Sequence, residues 1–302
     1  MNLKTTLYGH TYLFSDIKEV LAKASEAKSG DTLAGLAASS TLERIAAKAV
    51  LADLTVQELT EHPSVSYEED AVTRLILDDL DQNSYHQIEH KSIGELRDWI
   101  LSSSVSGRDI LALSNGMTSE VIAAISKLMG NLDLVYAGNK LRITATCNTT
   151  IGGENILASR LQPNHPIDDT EGVTAVTLEG LSYGIGDAVL GLNPSIDTFD
   201  STLSIWNTLG EIRDKYQIPT QTCVLSHITT QMKVLESGQG KADLCFQSIA
   251  GSEKACNAFG ITLEMLSEAW QMFLEDGSAK GPNVMYFETG QASELSSSAH
   301  YD

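Results

Sequence analysis

The chain has 302 residues, 42% of them apolar, which is enough to bury a sizeable core and to form two domains. Its 40 acidic residues outnumber its 20 basic residues and give a formal net charge of −20. Nucleic acids and anionic membranes both require local positive charge, so this balance argues against them and agrees better with a cationic small molecule. Because we find no basic-flanked leader and no membrane-length apolar run, we expect a soluble, cytoplasmic protein.

The first 141 residues are predicted to be mainly helical. Residues 3–14 alternate enough to form a strand or an extended arm. Leu42–Leu51 and Ala71–Leu77 carry apolar residues at i, i+3 and i+4, as amphipathic helices do. Gly138-Asn139 interrupts this pattern. We therefore expect a helical region over residues 1–141 and a second domain over residues 142–302.

The second domain alternates short apolar runs with helical segments, which predicts a parallel sheet with right-handed crossovers. The runs are rich in Val, Ile, Leu, Cys and Phe, as in strands buried on both faces. Such an α/β pattern indicates a (β/α)8 TIM-type barrel, in which side chains just past the strands share one mouth. A full barrel takes about 250 residues, so only about five βα units are expected here. The five predicted strand ends are Cys147-Asn148, Leu192-Asn193, Ser226-His227, Phe246-Gln247-Ser248 and Phe287-Glu288.

Four polar side chains near these ends form a candidate site. Arg160 and Gln162 follow the first predicted strand, Asn193 follows the second and Glu288 ends the fifth. A carboxylate opposite a guanidinium and two amides can hold both ends of a small amino alcohol. The competing interpretation is that Arg160 and Glu288 form a structural ion pair at the barrel rim.

His227 is a general-base candidate because it follows a strand and titrates near neutral pH. A hydrogen-bonded structural role is the competing interpretation. His227 and Glu288 could be two metal ligands, but no further acidic or histidine cluster has ligand spacing, so we predict no metal site. The cysteines lack CxxC spacing and are expected to be reduced core thiols.

Long strings in the chain resemble the large subunit of ethanolamine ammonia-lyase. The resemblance is carried in order, through nearly the whole chain, by residues 147–155, 158–166, 180–188, 246–254 and 281–291, which read CNTTIGGEN, ASRLQPNHP, GLSYGIGDA, FQSIAGSEK and GPNVMYFETGQ. It implies a helical N-terminal region before an eight-stranded barrel. It also implies an adenosylcobalamin-dependent radical lyase that converts ethanolamine to acetaldehyde and ammonia.

The resemblance assigns substrate-binding roles to five residues. It implies that Arg160 and Asn193 bind the substrate hydroxyl, that Gln162 binds the ammonium group, and that Leu161 belongs to the same substrate-binding segment. Glu288 would bind both groups and transfer a proton to or from the nitrogen. Glu288 and Arg160 are accordingly the predicted catalytic residues.

The resemblance also assigns cofactor contacts and partners. It implies that Pro194, Gln247 and Ser296 contact the cobalamin, and it assigns no role to His227. The implied partners are the small subunit and further large subunits in a hetero-oligomer, in the cytoplasm or in a bacterial microcompartment.

Members of the family continue with further barrel strands and a further acidic substrate ligand. Five strands cannot close a barrel. We expect this chain to be a fragment, with a broken gene or completion by a separate polypeptide as the alternatives. Two alternative functions are a truncated, non-catalytic remnant that still assembles with its partners, and an unrelated barrel lyase that uses Glu288 and His227 with a metal.

Overall fold

The N-terminal segment predicted as a strand or arm is a β-hairpin in the computed structural model, which describes residues 1–289. Strands β1 (Lys4–Leu7) and β2 (His10–Leu13) pair antiparallel. Tyr8 and Gly9 connect them with positive φ angles of 50° and 80°, as two-residue hairpin turns require. The described chain divides into two compact units, one over Met1–Leu141 and one that begins at Arg142.

The first unit continues as a series of short helices. Most begin at a Ser, Thr or Asp whose side chain accepts a hydrogen bond from the first turn, as Asp16 does from the backbone N–H of Glu19, and this explains where they start. The apolar faces of most of these helices share one core that includes the fully buried Leu51, Ile88 and Leu96. The helices are α1 (Ile17–Ala24), α2 (Ser29–Leu33), α3 (Thr41–Asp53), α4 (Val56–Glu61), α5 (Ala71–Asp78), α6 (Gln82–Ile88), α7 (Ile93–Leu101), α8 (Gly107–Ser114), α9 (Ser119–Lys127) and α10 (Asn131–Lys140).

The second unit contains a five-stranded parallel sheet in sequential order, which confirms the predicted partial TIM-type barrel. Each strand lies beside the next one along the chain, with helices in the connections, as right-handed βα units require. The strands are β5 (Arg160–Leu161), β6 (Val189–Leu192), β7 (Thr222–Val224), β8 (Leu244–Ser248) and β9 (Met285–Glu288). The helices are α11 (Thr170–Ser182), α12 (Phe199–Tyr216), α13 (Ile228–Glu236), α14 (Glu253–Ala258) and α15 (Leu263–Glu275).

The prediction that the first barrel strand ends at Cys147-Asn148 is wrong. That segment forms an antiparallel hairpin of β3 (Ala145–Thr146) and β4 (Thr150–Ile151). Its turn lies at the amino-terminal end of the sheet, since Thr149 donates its N–H and hydroxyl to the amide oxygen of Gln221, just before β7, at 3.2 Å each. The first parallel strand is β5, so Arg160 lies in a strand rather than in a loop after one.

The register of the sheet separates two faces. Residues aligned across neighbouring strands point to the same side, and successive residues alternate. The concave face carries a small apolar cluster that includes Val189, Cys223, Leu244 and Phe246. The opposite face, with Leu190, lies under the helices. All four cysteines are buried and none forms a disulfide. Burial raises the pKa of Cys147 to about 11, so this thiol stays protonated at neutral pH.

A buried ion pair fixes the amino-terminal end of β8. The carboxylate of Asp243 is fully buried and accepts hydrogen bonds from the Arg213 guanidinium on α12 and from the backbone N–H and hydroxyl of Thr222. Within the described chain no helix is long and apolar enough to cross a membrane.

We predict that Arg213→Met lowers the free energy of unfolding by roughly 3 kcal/mol or more, because it leaves a buried carboxylate without its counter-ion. The matched control is Arg142→Met, which removes an ion pair to Glu154 whose two side chains are 56% and 65% exposed and should cost less than about 1 kcal/mol. Urea unfolding followed by circular dichroism measures both. Equal, small losses in the two variants would contradict the buried-pair argument.

Candidate functional site

Arg160, Tyr286 and Glu288 form a hydrogen-bonded cluster on the concave face of the sheet. One guanidinium nitrogen of Arg160, Nη1, donates to the Oε1 atom of Glu288 at 2.6 Å and to the hydroxyl of Tyr286 at 2.8 Å. The Tyr286 hydroxyl donates in turn to the same Oε1 at 3.0 Å. Three groups that lie far apart in the sequence therefore share one carboxylate oxygen.

This contact joins the two edge strands of the sheet. Arg160 lies in β5 and Glu288 in β9, which are separated by three strands. Across a flat sheet of five strands the edges would lie roughly 19 Å apart, at about 4.8 Å per strand interval, which no side-chain pair can span. The salt bridge at 2.6 Å therefore depends on the curvature of the partial barrel.

Two guanidinium nitrogens of Arg160, Nε and Nη2, are buried without a hydrogen-bond partner among the described residues. A buried donor without an acceptor costs about 1–3 kcal/mol, so such groups in a folded protein call for an explanation. A ligand with an oxygen acceptor would satisfy them. The Arg160 side chain is only 20% exposed, so such an oxygen would bind in a largely dry place.

Glu288 offers a second carboxylate oxygen to a ligand. Its side chain is 43% exposed, and Oε2 has no hydrogen bond to any described residue, whereas Oε1 accepts from two donors. Burial, and then the hydrogen bond to Glu288, raise the pKa of Tyr286. The phenol is thus neutral and serves as a donor at physiological pH.

The other predicted substrate residues lie at the adjoining strand ends. Gln162 follows β5 directly and Asn193 follows β6, and both are exposed. Extending the strand alternation places both on the same face as Arg160. Leu161 differs, because its side chain is buried and packs against Gly180 on α11. A substrate contact from Leu161 would have to come from its backbone.

The loop after β5 holds the loop after β6 in place. Asn164 accepts a hydrogen bond from the backbone N–H of Asn193 at 3.0 Å. Asp168, whose φ angle is 56°, accepts from the backbone N–H groups of Ser195 and Ile196 and from the Ser201 hydroxyl. These contacts orient the segment that carries Asn193 and the predicted cofactor residue Pro194.

The predicted cofactor residues differ in how free they are. Pro194 is half-buried at the carboxyl end of β6. The amide of Gln247 is engaged by protein, since it accepts from the Ile228 N–H at 2.9 Å and donates to the carbonyl of Ser248 at 3.1 Å, on the helix side of the sheet. Ser296 lies outside the described residues.

His227 has a structural arrangement. It is the N-cap of α13, and its ring contacts the Thr229 hydroxyl at 2.8 Å through Nδ1 and the carbonyl of Phe259 at 3.0 Å through Nε2. Its backbone N–H donates to Asp197. With both ring nitrogens engaged, His227 has no ring atom left for a substrate proton. Residues 1–289 contain no cluster of three or more His, Cys, Asp or Glu side chains suited to a metal.

Sequence reasoning missed Tyr286 and Asp168. Tyr286 had a usable signal, because it lies two residues before Glu288 in a strand and must share its face. Asp168 had none, since its role depends on contacts between two loops that only the folded sheet brings together.

We predict that Asp168→Asn lowers the free energy of unfolding by about 1–2 kcal/mol at pH 7, because an amide accepts these hydrogen bonds more weakly than a carboxylate. Burial alone would raise the pKa of Asp168, but the donors from Ser195, Ser201 and Ile196 outweigh it and hold the pKa below its ordinary value of 3.8. The added stability is therefore present above that value and is lost as the pH falls through the lowered pKa.

The measurement is urea unfolding of the parent and the variant at pH 7 and at about pH 3, with a smaller difference expected at the lower pH. Asp200→Asn, at an exposed carboxylate in the first turn of α12, is the control. A difference that stays constant with pH would show that the Asp168 charge does not hold the loop.

The sequence is similar to known proteins of one family. The family model described as "Ethanolamine ammonia lyase large subunit (EutB)" matches residues 12–302. Proteins named ethanolamine ammonia-lyase large subunit from Escherichia coli strain K12 and from Salmonella typhimurium strain LT2 are each 48% identical to this chain over 301 residues. The match covers 100% of this chain and 66% of each relative, so the chain spans just under two thirds of their length. With the family model matched over nearly the whole sequence, the chain belongs to the ethanolamine ammonia-lyase large subunit family.

Proposed function

We propose that this chain carries the active site of an adenosylcobalamin-dependent radical lyase that converts ethanolamine to acetaldehyde and ammonia. The observation that supports this most directly is the pair of buried Arg160 nitrogens that have no partner within residues 1–289, together with the Oε2 atom of Glu288, which no residue in that range hydrogen-bonds. The Arg160 nitrogens require an oxygen acceptor, and the Glu288 oxygen can bind a cationic or proton-bearing group. Ethanolamine carries a hydroxyl oxygen and an ammonium group on adjacent carbons.

The substrate roles follow from the donors and acceptors of the site. Nε and Nη2 of Arg160 donate to the substrate hydroxyl, with the Asn193 amide at the neighbouring strand end. Oε2 of Glu288 accepts from the ammonium group, and the Gln162 amide oxygen is a second acceptor at the rim. A charge-assisted contact of this kind is stronger than a neutral one, so Glu288 contributes most to selecting an amino alcohol over a simple diol.

The strand ends also offer exposed apolar surface to a flat cofactor such as a corrin ring. At the carboxyl end of β6, Pro194 is half-exposed and Ile196 is 62% exposed, which provides an apolar surface on which a corrin ring can lie. The Gln247 amide accepts from the Ile228 N–H and donates one N–H to the Ser248 carbonyl, so its second N–H can donate to a cofactor. We therefore propose cofactor contacts from the Pro194 segment and from the second N–H of Gln247, whose amide oxygen also holds α13 against β8.

The chemistry that adenosylcobalamin supplies when bound is homolysis of its cobalt–carbon bond and reversible hydrogen transfer with the carbinol carbon. The residues of this chain orient the substrate and control its protons. Arg160 holds the hydroxyl oxygen of the substrate in place, so that the carbinol carbon keeps a constant position. Glu288 takes a proton from the ammonium group and returns it as the nitrogen leaves. The apolar cluster of Val189, Cys223 and Phe246 excludes water from the concave face.

We further propose that the chain works with a small subunit and with other large subunits in a hetero-oligomer, in the cytoplasm or in a bacterial microcompartment. The family name supports the small-subunit partner, since it describes a large subunit.

The test of the function is acetaldehyde release from ethanolamine by the 302-residue chain with adenosylcobalamin and its small subunit. A chain extended to the length of its relatives is assayed in parallel. Activity in either form supports the proposal, and activity in the extended chain alone places further required groups in the additional third. Absence of ethanolamine turnover in both forms would refute it, and turnover that chelators abolish but cobalamin does not affect would favour a metal-dependent lyase instead.

We predict that Glu288→Gln lowers ethanolamine turnover by about 10²-fold or more, the usual contribution of a proton-transfer group, while cobalamin binding changes little because the side-chain shape is kept. Turnover is measured by acetaldehyde release, and cofactor binding by equilibrium dialysis. Glu211→Gln, at an exposed carboxylate on α12, is the matched control. Unchanged turnover in the Glu288 variant would remove Glu288 from the mechanism.

A further inference from the structure

We infer that Tyr286 is a positioning residue that holds the Glu288 carboxylate so that Oε2 faces the amino group of the substrate. This inference rests on the proposed function and extends it to a residue for which the sequence resemblance implies no role.

The first support is the hydrogen-bond pattern around Glu288. The terminal torsion of a glutamate is broad, and a carboxylate held by one bond can turn and exchange its two oxygens. Here Oε1 accepts two bonds, from Arg160 at 2.6 Å and from Tyr286 at 3.0 Å. Two donors from different strand positions restrict that rotation, so Oε2 remains the oxygen available to a ligand.

The second support is the position of the Tyr286 ring. The Arg160 guanidinium carbon lies 5.4 Å from the ring centroid, which is a cation–π distance. The Tyr286 ring also packs edge-to-face with the Phe246 ring, with centroids 5.8 Å apart, an arrangement that aromatic pairs prefer. The ring is thus fixed by β8 packing, and its hydroxyl is presented at a constant place.

The third support is that Tyr286 contacts both charged members of the site. Its hydroxyl accepts from Arg160 Nη1 at 2.8 Å and donates to Glu288. Nη1 thus donates one hydrogen to Tyr286 and the other to Glu288. Nε and Nη2 remain for the substrate oxygen. Tyr286 therefore holds Nη1 of Arg160 and Oε1 of Glu288 in contacts within the protein. The remaining atoms, Nε and Nη2 of Arg160 and Oε2 of Glu288, are left to bind the ligand.

The decisive variant is Tyr286→Phe, because it removes the hydroxyl and keeps the ring that packs on Phe246. The matched control is Tyr183→Phe at the end of α11. Tyr183 also donates its hydroxyl to a glutamate, Glu179, at 3.2 Å, but it is 72% exposed and lies outside the site.

The first readout is binding, which does not require turnover. Ethanolamine and 1,2-ethanediol are titrated calorimetrically into the parent chain and both variants, each with small subunit and cyanocobalamin, which has no adenosyl group and therefore allows binding without turnover. We expect Tyr286→Phe to weaken ethanolamine binding by about tenfold, the loss of one hydrogen bond to a charged group, and to change diol binding by less than about twofold. Equal weakening of both ligands would show a merely structural role and would overturn the inference.

The second readout is steady-state turnover of ethanolamine. We expect Tyr286→Phe to lower kcat by about tenfold or more, because a carboxylate free to rotate spends less time in the reactive geometry. Tyr183→Phe should match the parent in kcat and KM. Parent-like kcat and binding in Tyr286→Phe would overturn the inference while leaving the proposed function intact. A parent that binds and turns over no ethanolamine, in both chain lengths, would refute the proposed function and this inference with it.

Discussion

The site depends on one ion pair that crosses the concave face of the sheet. Arg160 comes from the first parallel strand and Glu288 from the fifth, and their contact at 2.6 Å is possible only because the strands curl as a barrel does. The curvature comes from strand twist and from right-handed βα connections. Local backbone physics thus brings together two charges that are 128 positions apart.

This pair is better suited to binding than to stability. Partly buried ion pairs gain little net free energy, because desolvation offsets the attraction between the charges. In addition, Arg160 keeps two buried nitrogens unpartnered among the described residues, an arrangement that lowers stability. A protein tolerates such groups where a ligand satisfies them. In the Asp243 and Arg213 pair, Thr222 donates two further bonds to one carboxylate oxygen, Oδ2, and the other oxygen, Oδ1, is buried without a partner among the described residues.

The two ends of the sheet have different tasks. At the amino-terminal end, the turn of the β3–β4 hairpin and the buried Asp243 tie strands together through many short contacts. At the carboxyl end, Asn164 and Asp168 hold the loop that presents Asn193 and Pro194 and leave those side chains accessible. This division is common in parallel barrels, where the amino-terminal face stabilises and the carboxyl-terminal face binds.

The sequence by itself determined the α/β class, the helical character of the N-terminal region, and the alternation of strands and helices in the second domain, because hydrophobic period is a local signal. It also placed Arg160 opposite Glu288 in one candidate site. The tertiary structure alone decided that Cys147-Asn148 forms a hairpin turn below the sheet, that Leu161 packs on α11, and that Tyr286 joins the charged pair. The first two depend on contacts between elements that are distant in the sequence, which residue spacing does not encode. For Tyr286, the spacing from Glu288 gives the face of the strand, but only the curvature of the sheet brings its hydroxyl to Arg160.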